Sequence, residues 1–268
     1  MAKGEFHKMH GLGNDFVIID ARACPMEMSP ARARAIADRK RGIGCDQLIL
    51  LDKSEVADVA LRIFNPDGAE VEACGNASRC VVALLKQDLQ IETKGGIIAG
   101  QLSGNDVTVA MGEAKFDWQD IPLAFAMDSG SLPLAWEELQ NPMAVNIGNP
   151  HAVFLVDNAD TVDIARLGPI IEHDAAFPER VNVNVASVDG NEIRLIVWER
   201  GAGLTGACGT GACATAVTAI KQGKVQSPVV VHQSGGSLSI AWAPGQPVIM
   251  TGSATYVFAG QADWDDFG

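Results

Sequence analysis

Basic residues are scarce in this chain. Lys and Arg number 20 against 33 Asp and Glu, a formal net charge of −13. A phosphate-binding surface needs clustered cations that displace counterions, so nucleic acid is excluded as a partner. Long apolar runs are also missing. No stretch approaches the about 18 apolar residues of a membrane-spanning helix, and the opening MAKGEFHK has no apolar signal core. A cytoplasmic protein with no membrane partner is expected. Gly11-Leu12-Gly13-Asn14 lacks the third glycine of a dinucleotide-binding turn, and no G-x4-G-K-[ST] loop occurs. No two cysteines have C-x2-C spacing, which leaves neither paired zinc knuckles nor a dithiol redox motif. With no secretory signal and a core rich in Val, Ile, Leu and Ala, the six cysteines are expected to be reduced.

What the chain does have is a repeat. Ala73-Cys74-Gly75-Asn76-Ala77-Ser78-Arg79-Cys80 and Ala207-Cys208-Gly209-Thr210-Gly211-Ala212-Cys213 lie half a chain apart. Gly13-Asn14-Asp15-Phe16, leading into Val17-Ile18-Ile19-Asp20, has its counterpart in Gly148-Asn149-Pro150-His151, leading into Ala152-Val153-Phe154-Leu155-Val156-Asp157. Gly95-Gly96 answers to Gly235-Gly236, and Met111-Gly112-Glu113-Ala114 to Thr251-Gly252-Ser253-Ala254. Self-similarity at this scale marks a duplicated architecture. Two domains are expected, residues 1–115 and 116–254, with the tail 255–268 returning to the first through Tyr256-Val257-Phe258.

Short β-rich runs punctuated by Gly, Asn, Asp and Pro cover residues 16–20, 47–51, 59–64, 106–111, 151–157, 181–188, 192–198, 229–232 and 248–251. Their spacing suggests largely antiparallel sheets. Four helices are expected, two per half. Ser29-Pro30 is a cap and first-turn proline opening a helix through about Lys40. Its partner covers about 162–171, where Pro169 signals a break. The others start at the two Cys-Gly sites, about 76–87 and 210–222. Both are apolar or small on nearly every face, as a helix buried on all sides must be. The fold class is therefore α+β: two pseudo-symmetric domains, each a curled, mainly antiparallel sheet around a central helix.

Cys74 and Cys208, just before those buried helices, sit where unpaired N–H groups and a helix dipole favour thiolate. A helix terminus is worth about 0.3–2 kcal/mol and one pKa unit about 1.36 kcal/mol, so the dipole lowers a thiol pKa by about 1.5 at most. Two thiols sharing a pocket repel as a thiolate pair, which predicts one thiolate and one thiol at rest. That is a base and an acid for opposite faces of one carbon, the requirement for inverting a stereocentre. Main-chain N–H groups of Gly75, Asn76, Gly209 and Thr210 suit a carboxylate whose charge grows in the transition state. A buried cysteine is usually a small core hydrophobe. Two of them at equivalent positions of a duplication argue otherwise. Cys24, Cys45, Cys80 and Cys213 carry no such argument and are read as structural.

The same residues resemble the diaminopimelate epimerases, amino-acid epimerases that work without pyridoxal phosphate. The resemblance runs through Met9–Phe16 (MHGLGNDF), Gly42–Gln47 (GIGCDQ), Phe64–Gly68 (FNPDG), Cys74-Gly75-Asn76, Gly148-Asn149-Pro150-His151, Arg180-Val181-Asn182 and Trp198–Gly203 (WERGAG), and continues to Ala207–Gly211 (ACGTG). In this order the pieces are highly specific and span nearly the whole chain. The resemblance implies that Cys74 and Cys208 are the catalytic acid–base pair, that the active site lies at the domain interface, and that no cofactor or metal is needed. It places substrate contacts at Asn14, Gln47, Asn65, Gly75, Asn76, Asn149, Asn182, Glu199, Arg200, Gly209 and Thr210, and makes His151 and Glu199 a supporting pair. It also implies a homodimer acting on 2,6-diaminopimelate. An Arg gripping a distal carboxylate and amides offering both donors and acceptors suit such a substrate. Ala77, Cys45 and Leu204 depart from the family pattern without removing a group assigned to chemistry. A proline or hydroxyproline racemase is the nearest rival, with no distal arm for Arg200, Asn65 and Asn182 to hold. A structural zinc protein using Cys74, Cys80, Cys208 and Cys213 is a rival of another class.

Overall fold

The computed structural model describes residues 3–72 and 74–267. Ala73, which leads the first Cys-Gly motif, and Met1, Ala2 and Gly268, at the ends of the expected first domain, lie outside the described residues. The chain divides into two compact units, Met1–Val109 with Gly252–Gly268 and Ala110–Thr251.

In the first unit the elements are β1 (Lys3–Gly11), β2 (Asn14–Asp20), α1 (Pro30–Ala37), β3 (Gln47–Asp52), β4 (Val59–Phe64), β5 (Glu70–Val71), α2 (Gly75–Leu85), β6 (Leu89–Thr93), β7 (Gly96–Ser103) and β8 (Asp106–Glu113). Pairing is antiparallel for β1–β2, β3–β4, β4–β5, β6–β7 and β7–β8 and parallel for β2–β3 and β4–β6. Ser29 caps α1 by accepting from the Arg32 N–H, and Pro30 takes the first turn. The helix stops at Ala37, short of Lys40, because Asp38 is already extended. The apolar side of α1, Ala33, Ile36 and Ala37, packs with Val17, Ile19, Leu48, Leu50 and Phe64. On the opposite side α2, with Ala77, Cys80, Val81 and Val82 fully buried, touches β1, β2 and β7, so the sheet curls around it.

The second unit repeats this plan. Its elements are the added hairpin β9 (Ala135–Trp136) and β10 (Leu139–Gln140), then β11 (Met143–Asn146), β12 (Pro150–Leu155), α3 (Ile164–Glu172), β13 (Asn182–Asp189), β14 (Glu192–Glu199), β15 (Gly203–Thr205), α4 (Gly209–Lys221), β16 (Val229–Gln233), β17 (Gly236–Ala241) and β18 (Pro247–Ser253). The parallel pairs recur as β12–β13 and β14–β16, and β11–β12, β13–β14, β14–β15, β16–β17 and β17–β18 are antiparallel. Register is preserved too: Phe16 opposite Gln47 in one unit becomes His151 opposite Asn182 in the other. The architecture is thus α+β with two repeated units. Helix α3 continues through Pro169. Its face of Ile164, Leu167 and Ile171 is buried against Ala152, Phe154, Val183 and Val185, and this packing outweighs the local cost of the proline.

The last strand, β19 (Thr255–Asp263), returns to the first unit and pairs antiparallel with β1. Trp264, just beyond it, joins the core under α1. No helix among the described residues is long and apolar enough to cross a membrane.

Candidate active site

Each unit places a cysteine at the N-cap of its central helix. Cys74 has φ −147° and ψ 111° ahead of α2, and Cys208 has φ −127° and ψ 115° ahead of α4. In this shared extended conformation the Cys208 sulfur caps a first-turn main-chain N–H of its helix, whereas Cys74 makes no side-chain cap hydrogen bond.

In the first unit the structure joins the predicted residues in two amide pairs. The Asn76 Nδ2 donates to Asn14 Oδ1 at 3.2 Å, and the Gln47 Nε2 donates to Asn65 Oδ1 at 2.9 Å. Gly75 and Asn76 form the buried first turn of α2. Two residues absent from the sequence-based set orient the first pair. Arg79, fully buried, donates from Nη2 to Asn76 Oδ1 at 2.9 Å, and Asp46 accepts from Asn14 Nδ2 at 3.3 Å. Asp46 also accepts from the Asp15 N–H at 3.1 Å and pairs with Arg39 at 2.7 Å. Burial works against the charge on Asp15, yet hydrogen bonds from Arg39 and Lys8 overcome it and hold its carboxyl far below the usual carboxylate range.

In the second unit Cys208 is buried, 4% exposed. Its sulfur accepts from the Gly211 N–H at 3.4 Å and lies 3.6 Å from the Thr210 hydroxyl. Burial nevertheless pushes the thiol well above its ordinary range; the Glu199 charge and a hydrogen bond to that carboxylate add to the rise, while Thr210 and Gly211 oppose it. The helix-end effect is therefore present but outweighed, and Cys208 rests as a thiol. Glu199 is itself fixed by the Thr205 hydroxyl, which donates to Oε1 at 2.5 Å. Asn182 donates to the Pro150 carbonyl at 2.8 Å and accepts from the Arg200 N–H at 2.9 Å, tying the end of β14 to the start of β13. Gly209 and Thr210 form the first turn of α4.

His151 is fully buried and hydrogen-bonded to two carboxamides: Nε2 to Asn149 Oδ1 at 2.8 Å and Nδ1 to Asn184 Nδ2 at 3.0 Å. Burial drives its pKa down to about 3, so the ring is neutral near pH 7.

Four further residues here escaped the sequence reading: Asn184, Thr205, Gln233 and Glu172. The buried Glu172 carboxylate accepts from Trp198 Nε1 at 2.7 Å and from the Gly201 N–H at 2.9 Å, bracketing Glu199 and Arg200. Glycine at 168 lets α3 approach, since a Cβ there would lie 2.5 Å from the Trp198 ring. Of the cysteines read as structural, Cys45 and Cys80 are pushed up to about 11 and about 12 by burial and stay as thiols.

The model of the family described as diaminopimelate epimerase matches residues 6–117 and 143–257. The chain belongs to the diaminopimelate epimerase family. It is accordingly an epimerase, an isomerase by class. It is 63% identical over 265 residues to the diaminopimelate epimerase of Rhizorhabdus wittichii, covering 98% of this chain and 97% of that relative. With the diaminopimelate epimerase of Zymomonas mobilis it shares 52% over 264 residues, 98% of each chain. Among solved structures, a PhzF-family phenazine biosynthesis protein of Bacillus anthracis is similar at TM-score 0.69 and 17% identity, covering 98% of this chain and 99% of that one. A hydroxyproline epimerase of Agrobacterium vitis is similar at TM-score 0.68 and 17% identity, covering 98% and 91%. At those identities the likeness concerns the fold.

Proposed function

We propose that this chain inverts one α-carbon of L,L-2,6-diaminopimelate to give the meso isomer, supplying lysine and peptidoglycan precursors, by a two-base mechanism without a cofactor. The observation that carries the mechanism is the occurrence of a cysteine at the same helix N-cap in both repeats, with the same extended backbone. Domains 1–115 with 255–268 and 116–254 each supply one of the two sulfurs. One thiolate removes the α-proton from one face while the other thiol delivers a proton to the opposite face. In the direction where Cys74 is the base, Cys208 is the acid, the form in which burial holds it. In the reverse direction Glu199, which accepts the Cys208 hydrogen bond, is the group to which that proton moves. Main-chain N–H groups of Gly75, Asn76, Gly209 and Thr210 take the growing negative charge on the α-carboxylate. Arg200 and the amides of Asn14, Gln47, Asn65, Asn149 and Asn182 hold the distal arm. The enzyme works in the cytoplasm as a homodimer.

The test is incubation of purified, reduced protein with L,L-diaminopimelate and, separately, with L-proline and trans-4-hydroxy-L-proline, following the stereoisomers by chiral chromatography. The meso isomer is expected from the first substrate alone, with no added pyridoxal phosphate or metal. Turnover of the prolines without turnover of diaminopimelate would establish the racemase reading instead.

A further inference from the structure

The first repeat fills the Phe16 and Ile49 positions of its core with fully buried apolar side chains. By register, the second repeat has His151 and Asn184 in those places, both fully buried. Exchanging an apolar pair for a polar one deep in a core costs stability unless every hydrogen bond is made, and the Asn184 Oδ1 has no partner. An arrangement with that cost needs a function.

The orientation of the Asn184 amide follows from its surroundings. Its Nδ2 lies 3.0 Å from His151 Nδ1 and 3.4 Å from the Ala152 carbonyl oxygen, which can only accept. Turning the amide over would set oxygen against oxygen. The other end, Oδ1, abuts Gly211 in the first turn of α4, where a Cβ would come within 2.8 Å of it. The Asn184 N–H therefore faces Nδ1, which must be the lone-pair nitrogen. A neutral imidazole then carries its proton on Nε2, and Nε2 donates to Asn149 Oδ1 at 2.8 Å.

We propose that Asn184 is a positioning residue for substrate recognition: by donating to His151 Nδ1 it fixes the Nε2–H tautomer, which turns the Asn149 carboxamide so that its N–H groups, not its oxygen, remain for the ligand. Asn149 is thereby a donor matched to a carboxylate oxygen and mismatched to an ammonium group. This rests on the reading of Asn149 as a substrate contact.

The imidazole signals of the full-length, ligand-free protein in a 15N–1H spectrum test the relay directly, with His151→Gln identifying the His151 peaks. Protonated Nε2 and lone-pair Nδ1 are expected at neutral pH. A proton on Nδ1, or on both nitrogens, would overturn the proposal. Asn184→Asp puts an acceptor at Nδ1 and is expected to move the proton there, turn Asn149, and raise KM for diaminopimelate about tenfold or more, as for a lost hydrogen bond to a charged group, with kcat within about threefold. A proton on Nδ1 with an unchanged KM would sever the link to recognition. Asn184→Leu, which adds no charge, is expected to give mixed tautomers and a raised KM; a single Nε2–H tautomer with normal KM would likewise overturn the proposal. The spectrum is read without substrate, so a wild type with the expected tautomer but no diaminopimelate turnover would count against the substrate assignment and not against the relay.

Discussion

The main-chain N–H of Cys208 donates to the side-chain oxygen of Gln233 at 2.7 Å. Gln233 closes β16 and is 7% exposed, so this bond fastens the N-cap of α4 to the neighbouring strand inside the core. Gln233→Leu would leave a buried N–H without an acceptor, at a cost of about 1–3 kcal/mol. For a chain of this size each kcal/mol lowers Tm by about 2–4 °C. A drop on that scale is expected in thermal unfolding, together with a fall in kcat as the sulfur loses its fixed place. An unchanged Tm and unchanged turnover would show that the bond holds nothing the chemistry needs.

His151 makes stability depend on pH in a definite direction. Burial lowers its pKa from 6.5 to about 3, with nearby Arg200 acting the same way. Between those values the unfolded chain binds a proton that the native chain does not, so stability rises with pH and falls as pH drops below about 6.5. At one pKa unit per about 1.36 kcal/mol, the loss from pH 6.5 to pH 5 is about 2 kcal/mol. Urea unfolding at the two pH values measures it. His151→Gln, which cannot be protonated, is expected to be less stable overall and to lose less on acidification. Parallel pH profiles for the two proteins would remove His151 as the cause.

The duplication, nine of the strands and the four helix starts were legible because they are written in local pattern, whereas β1, β7 and β19 were among the strands that the pattern did not reveal. Alternating apolar runs, Ser29-Pro30 and the paired Cys-Gly sites each act over a few residues. What local pattern cannot carry is a partner distant in sequence. Nothing in the sequence around Arg79 or Asn184 singles either one out. Only burial and the contacts to Asn76 and His151 show that they orient other groups. The rest state of Cys208 was illegible for a related reason. The dipole of α4 can be inferred from sequence, whereas the desolvation that outweighs it depends on what covers the sulfur. Helix α3 ran through Pro169 because a buried face outweighed a local breaker, a contest that sequence alone does not score.

If one thiol serves each face of the α-carbon, removing either must stop epimerisation in both directions, since every sulfur is the base for one direction and the acid for the other. Cys74→Ala and Cys208→Ala are each expected to lose about 10²–10⁴-fold or more in kcat, the usual worth of a general acid or base, while remaining folded. Isotope exchange adds a test that a collapsed site could not mimic. In D₂O the proton delivered comes from a thiol already equilibrated with solvent, not from the proton just removed. Meso-diaminopimelate formed in a single turnover is therefore expected to carry deuterium at the inverted carbon and nowhere else, read by mass spectrometry and NMR. A single base returning the abstracted proton would instead retain the original hydrogen. Retention of that hydrogen, or near-normal activity in either cysteine variant, would end the two-base mechanism for this chain.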